Sequence, residues 1–279
     1  MRQIDRRPFV FAVVIYLLAW FLGFPIRAQS APLEEVECTL ILDAASGETL
    51  YRDGVCDQRF SPASTFKVPL ALIGYDSGIL SDEHTPAWDY KPEFKAVKRD
   101  QKTVDPTIWE KDSVLWFSQE ITRRLGNERF AGYVSKFDYG DTDVAGTAGK
   151  NDGLTRSWVN SSLEISPVEQ ANFLRRLLAG ELPVSDKAHA MTRAILPTFR
   201  SGGWTVQGKT GTTRLGDSAD KSSLGWRSLG WFVGWANKDT RNIVFARLVI
   251  DTKRSDTPKG PQTRTMFLKE LPNLINNSK

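Results

Sequence analysis

The sequence predicts an α+β fold, with one antiparallel sheet assembled from both ends of the chain around a central helical block. Three observations carry this. Glu37–Asp43 and Thr49–Arg52 are short apolar runs separated by the turn signal Ala45-Ser46-Gly47-Glu48. The middle of the chain carries apolar residues at helical spacing. Beyond Pro197 the pattern returns to strands at Trp204–Gly211, Gly230–Trp235 and Ile243–Ile250. The expected partition is a segment 1–30 that is removed, a sheet subdomain of 31–60 and 197–279, and a helical subdomain of 61–196. The site is expected between the two subdomains.

Taken in order, Met1–Arg7 is short and basic, Phe9–Phe24 almost wholly apolar, and Ala28-Gln29-Ser30-Ala31 offers small residues for cleavage. That is the layout of a secretory signal peptide, with an uncleaved anchor as the alternative. Export to an oxidising compartment favours a disulfide between Cys38 and Cys56, which flank the first hairpin. The apolar run Val68–Tyr75 predicts a buried helix opening near Ser64. A loop-rich span, Ser77–Lys111, follows. Asp112 is then expected to cap a helix over Ser113–Leu125, with Val114, Phe117, Ile121 and Leu125 on one face and Gly126 as its stop. The stretch through Tyr139-Gly140-Asp141 and Gly146–Gly153 reads as loop. Ser166-Pro167-Val168-Glu169 is a capping box with proline at the first helical position, and Gly180 ends that helix. Ser185–Ile195 reads as one more helix. The last two strands form a hairpin around Asn237-Lys238-Asp239, and Thr265–Leu271 is a closing helix that Pro272 ends or kinks.

The totals exclude several functions. A chain of 279 residues with 41% apolar and 25% charged residues buries a globular core. A net charge of +4 without a dense basic run or zinc-finger spacing argues against nucleic acid as a partner. Two cysteines outside C-x-x-C spacing and two histidines make a metal site unexpected and a Ser-His-Asp triad equally so. His84 lies in a polar loop and is expected to face solvent; His189 is expected on a helix surface.

The chemistry concentrates in Ser64-Thr65-Phe66-Lys67. A serine and a lysine three residues apart on a helix share one face, so the amine can act on the hydroxyl proton. Burial pushes a lysine toward the neutral amine that such a role needs. Alone, the pattern is more simply an ordinary S-x-x-K on a core helix. Lys209-Thr210-Gly211 at the end of an apolar strand changes the balance. A cation and a hydroxyl there can hold a substrate carboxylate, and Gly211 allows the strand edge to approach a ligand closely. The two elements in this order are together the signature of penicillin-recognising serine enzymes.

With Ser113-Val114-Leu115, Tyr139-Gly140-Asp141 and Trp158 added, the mature chain closely resembles the class D β-lactamases. The resemblance implies a transpeptidase-like fold and hydrolysis of penicillins and some cephalosporins through an acyl-enzyme on Ser64. It implies that Lys67 is carboxylated by carbon dioxide and acts as general base, with no other cofactor. Trp158 would hold that carbamate through its indole N–H. Ser113 would bridge Ser64 and Lys209 and pass a proton to the leaving nitrogen. The backbone N–H groups of Ser64 and Thr212 would form the oxyanion hole. Arg264, ahead of Arg247, is the candidate for binding the substrate carboxylate beside Thr210 and Gly211, with Leu115 and Tyr139 also placed in the substrate region. The expected localisation is periplasmic, without stable membrane insertion, and the expected assembly a monomer or weak homodimer.

Two positions depart from the family pattern. Leu115 stands where S-x-V has valine, adding a methylene beside the presumed carbamate pocket. Asp141 stands where Y-G-N has asparagine, so bonds donated by that amide are lost. Competing readings are a penicillin-sensing receptor domain, a D,D-peptidase and a binding protein without turnover, which deacylation separates from a β-lactamase.

Overall fold

A computed structural model describes residues 35–216 and 227–276. The predicted signal segment therefore lies outside the described residues. A six-stranded antiparallel sheet runs in the order β2-β1-β6-β5-β4-β3, with β1 Val36–Asp43, β2 Thr49–Gly54, β3 Thr198–Ser201, β4 Trp204–Leu215, β5 Arg227–Lys238 and β6 Arg241–Ile250. The two chain ends meet where β1 pairs with β6 from Val36 opposite Ile250 to Asp43 opposite Ile243. The helices are α1 Lys67–Asp76, α2 Pro106–Asp112, α3 Leu115–Leu125, α4 Asn127–Phe137, α5 Gly153–Arg156, α6 Pro167–Ala179, α7 Asp186–Ile195 and α8 Lys259–Asn276.

The central strand β5 is buried on both faces, which is why Leu229–Ala236 reads as a continuous apolar run and not as an alternation. Its two faces serve different layers. Phe232 and Ala236 pack with Phe245 of β6 and Phe267 and Leu271 of α8. Trp231 and Val233 join the larger core formed by the other helices. Phe245 and Phe267 stack at 4.2 Å between ring centroids. Cys38 and Cys56 are joined by a disulfide, with Cα atoms 5.2 Å apart.

Several elements differ from the sequence reading. Asp112 ends α2 and caps nothing: the N-cap is Asp105, whose Oδ1 accepts from the Ile108 N–H at 2.7 Å, with Pro106 at the first helical position. Ser113 then sits in the left-handed region (φ 60°), so the predicted helix begins at Leu115. The stretch read as loop after Gly126 contains α4, with Phe130, Val134 and Phe137 buried. β3 was not predicted, β4 runs on to Leu215, and the β5–β6 turn falls at Asp239 and Thr240, beyond Lys238. Helix α8 starts at Lys259 and passes through Pro272. That proline cannot donate to the Leu268 carbonyl four residues back, and the Ser201 hydroxyl donates to it instead. The proline ring lies over Gly202, where a Cβ would meet its Cγ at 2.4 Å. His189 is buried, not on a helix surface, with Nδ1 and Nε2 at 2.9 and 3.1 Å from the Leu177 and Leu182 carbonyl oxygens. His84 is exposed as expected, paired with Asp105.

Candidate active site

Ser64 sits in a 3-10 turn, Ala63–Phe66, that leads directly into α1. Ala63 adopts a positive φ of 50°, a conformation that costs a non-glycine residue about 1 kcal/mol and persists only where surroundings fix it. Those surroundings are specific. The Thr65 hydroxyl and N–H both donate to the Pro62 carbonyl, at 2.7 and 3.1 Å. Gln170 donates to the Thr65 hydroxyl at 2.8 Å. The Ser61 hydroxyl donates to the Trp158 carbonyl at 3.0 Å and accepts from the Asn160 N–H at 2.9 Å, while the Trp231 indole donates to the Ser61 carbonyl at 3.0 Å. The turn is thus tied to β5, α6 and the Trp158 segment.

Gly211 lies against this same turn. A Cβ there would meet the Pro62 carbonyl oxygen at 2.9 Å and Thr65 Cγ2 at 3.2 Å. The close approach that Gly211 permits is therefore to the backbone flanking Ser64, a correction to the expectation that it serves the ligand. Thr212 follows on the exposed side of β4, and its hydroxyl accepts from the Gly260 N–H at 2.9 Å.

A cleft of about 580 Å³ opens over these residues, lined by Ser64, Ser113, Thr210, Thr212 and Arg264, with Asp100 on its rim. Lys209 Nζ donates to the Ser113 hydroxyl at 2.9 Å and to the Thr210 carbonyl at 3.0 Å. The left-handed backbone of Ser113 is what swings its hydroxyl from the end of α2 toward β4. Arg264, on the first turns of α8, lies with its guanidinium 4.8 Å from the Phe199 ring centroid. Arg247 is elsewhere: it is 7% exposed and bonded to the Thr39 hydroxyl and to Glu37, with Glu270 at 3.6 Å.

Lys67 is the first residue of α1 and is 1% exposed, and its Nζ has no hydrogen-bond partner. Burial, reinforced by repulsion from Lys209, brings its pKa down from 10.5 to about 7 against the opposing pull of Glu110 and Asp100. Phe66 shields this region: it stacks on Trp158 at 5.2 Å and meets Phe130 and Tyr139 edge-on at 5.9 and 5.5 Å. Lys209 is also pulled down by burial, to about 8, with Glu110 opposing the fall and Arg264 adding to it.

Residues 36–271 match the family model of the penicillin binding protein transpeptidase domain. The chain is 49% identical to β-lactamase OXA-9 of Klebsiella pneumoniae over 263 residues, covering 92% of this chain and 96% of that one. Against β-lactamase OXA-1 of Escherichia coli it is 33% identical, covering 79% of each. The crystal structure of OXA-427 class D β-lactamase superposes with a TM-score of 0.77 at 40% identity, covering 87% of this chain and 100% of that one. The chain belongs to the class D β-lactamases.

For this class D β-lactamase the placement of the remaining expected residues is uneven. Trp158 is 1% exposed and packed under the Ser64 turn. Leu115 opens α3, half-buried and packed on the main core. Tyr139 is fully buried, its hydroxyl donating to Gln170 at 3.4 Å, so it supports Phe66 from behind and lines no part of the cleft. That corrects its placement among substrate-binding residues. Asp141 Oδ1 accepts from the N–H groups of Asp143 and Glu164, both at 3.1 Å, bonds that an asparagine oxygen would accept equally. One further residue belongs to none of the sequence motifs. Glu110, on α2, is wholly buried and neither carboxyl oxygen has a hydrogen-bond partner.

Proposed function

We propose that the enzyme hydrolyses β-lactam antibiotics through an acyl-enzyme on Ser64, with carboxylated Lys67 as its general base. The observation that carries this is the Lys67 amine: buried, without a partner, and one turn from the nucleophile. A neutral amine in such a position is nucleophilic toward carbon dioxide, whereas an ammonium is not. Captured carbon dioxide would supply an anionic oxygen base where the bare amine is a cation for part of the neutral range.

The chain's own residues provide the rest. Ser64 lines the cleft. The backbone N–H groups of Ser64 and Thr212 are the oxyanion donors, on a turn and a strand locked together at Gly211. Preorganised donors of this type contribute roughly 3–4 kcal/mol to the transition state. The Lys209–Ser113 hydrogen bond gives a route for a proton to the leaving lactam nitrogen. Arg264 and Thr210 meet the substrate carboxylate at the open end. Trp158 and Phe66 exclude water behind the base.

The test is hydrolysis of a chromogenic cephalosporin by the mature protein with bicarbonate present, removed and restored. Turnover that falls and recovers supports the reading. A single stoichiometric burst, or turnover indifferent to bicarbonate in Lys67→Ala and Trp158→Ala as well as wild type, sinks it. The finer localisation belongs to the same proposal: residues 1–30 direct export to the periplasm and are removed, leaving a monomer or weak homodimer. No helix among the described residues is long and apolar enough to cross a membrane.

A further inference from the structure

We infer that Glu110 is a positioning residue: its buried, unpartnered carboxyl is the counter-charge that keeps Lys209 an ammonium, and the same charge opposes carboxylation of Lys67. The second half rests on the carbamate reading above. The first does not.

Three buried ionisable side chains lie on three elements, Lys67 on α1, Glu110 on α2 and Lys209 on β4, and act on one another electrostatically. Glu110 and Lys209 share the wall of a second cavity, of about 490 Å³, which continues from the catalytic cleft past Thr210 and Arg264. Of the other acids nearby, Asp100 also pulls on Lys67. Asp112 pairs with Lys102, and Asp100 with Arg99. Facing the cluster from α1 is also Tyr75, whose hydroxyl donates to the Asp82 carbonyl, and from α8 Arg264, which acts on Lys209. Glu110 is therefore the one wholly buried acid acting on both lysines among the described residues.

The electrostatics agree. Burial pushes Glu110 up to about 7 while both lysines pull it back down. Near neutral pH an ionised Glu110 stabilises each lysine's charged form, as the opposing contributions at Lys67 and Lys209 record. For Lys209 this is useful, since its ammonium holds Ser113 and the substrate end of the cleft. For Lys67 it is a handicap. Carboxylation joins the amine nitrogen to the carbon of carbon dioxide, moves one C=O electron pair to oxygen and releases an N–H proton to solvent. Only the free amine reacts, and the product is an anion that Glu110 repels. The carboxyl thus trades carbamate occupancy for a charged Lys209.

The experiment uses Glu110→Gln, isosteric and uncharged, with Glu110→Met as a second charge-free background and Glu110→Asp as the charge-keeping control. Carbamate is titrated directly with ¹³C-bicarbonate by NMR at pH 7.5. A tenfold change follows from each pKa unit of lost interaction, so the half-saturating bicarbonate is expected to fall about tenfold in both charge-free variants. At saturating bicarbonate, the alkaline limb of kcat/KM is expected about one pH unit lower in the same variants, because Lys209 loses its proton earlier. Glu110→Asp restores both towards wild type. Titration and alkaline limb unchanged in both charge-free variants overturn the inference. If wild type itself gives no carbamate signal, the carbamate reading fails separately, and the alkaline limb alone then decides whether Glu110 holds Lys209 charged.

Discussion

Replacing Lys67 by methionine removes the proposed base beside Ser64, and it also removes an amine that the fold buries without a partner. Activity and stability are therefore expected to move in opposite directions. In carbon dioxide-free buffer, the drop from 10.5 to about 7 amounts to a penalty of roughly 4–5 kcal/mol at about 1.4 kcal/mol per pKa unit. Glu110 loses a favourable neighbour in the variant, so the net gain is expected to be about 2–4 kcal/mol. The sign with pH is fixed by the two pKa values. Below the native value of about 7 both states are charged and the penalty is full; it fades as pH rises toward the unfolded value of 10.5. Lys67→Met should thus raise Tm by about 5–15 °C at pH 6 and retain an advantage of only about 1 kcal/mol near pH 9.5. Thermal unfolding in decarbonated buffer at the two pH values measures this, with β-lactam turnover at background throughout. Adding bicarbonate at pH 7.5 should stabilise wild type and leave Lys67→Met unmoved, since only the former has an amine to carboxylate. A variant no more stable than wild type at pH 6, or one with an undiminished advantage at pH 9.5, would refute the view of Lys67 as an unpaired buried amine.

Gly211→Ala should cost about 1–3 kcal/mol and slow acylation about 10²-fold, because the new methyl presses on Pro62 and Thr65 and shifts Ser64; stopped-flow acylation at the wild-type rate would contradict that contact. Arg264→Ala should raise KM for penicillins about tenfold with little loss of kcat, while Arg247→Ala should leave KM alone and lower Tm, given its bonds to Thr39 and Glu37. Exchanging both Cys38 and Cys56 for serine opens a link between residues 18 apart and should cost about 3 kcal/mol. The activity of each folded molecule should survive that change, and a loss of kcat at full folding would place the disulfide nearer the chemistry than β1 and β2 do.

What the sequence disclosed was local chemistry. Ser166 and Glu169 form the capping box they promise, with the Glu169 N–H donating to Ser166 Oγ at 3.2 Å and the Ser166 N–H to the Glu169 carboxylate at 2.8 Å. Gly180 closes that helix in the left-handed region. Ser64, Ser113, Thr210, Thr212 and Arg264 converge on one cleft, far apart though they are in the chain. The errors share a cause. Asp112 precedes a helical period and so resembles an N-cap, yet Asp105-Pro106 carried the same signal earlier and began a separate helix. Phe130, Val134 and Phe137 keep a helical period, but Gly126 ahead of them resembles a helix end, when it is the joint between α3 and α4. Tyr139 and Gly211 belong to recognisable motifs, but a motif does not say which way its residues face. Glu110 falls within the span that reads as loop-rich, Ser77–Lys111; the packing of α2 against α3 and α7 is what buries it.

That hidden acid changes how the site's energetics should be understood. A site with only Lys67 and Lys209 would bury two amines that repel each other, and both would shed their protons. The fold instead adds one carboxyl without giving it a hydrogen bond, so three groups share charge across the neutral range. Lys209 is hydrogen-bonded, but Lys67 and Glu110 are not, and an unsatisfied buried charge is destabilising. The aromatic packing of Phe66, Trp158, Phe130 and Tyr139, together with the locked turn at Ser61–Thr65, supplies rigidity at the Lys67 end of the cluster. Loosening that packing would admit water, let Lys67 recover its ammonium form and weaken the proposed carboxylation. The aromatic shell therefore acts on the chemistry through the protonation of Lys67, and substitutions there should appear first as a greater demand for bicarbonate and only later as a loss of fold.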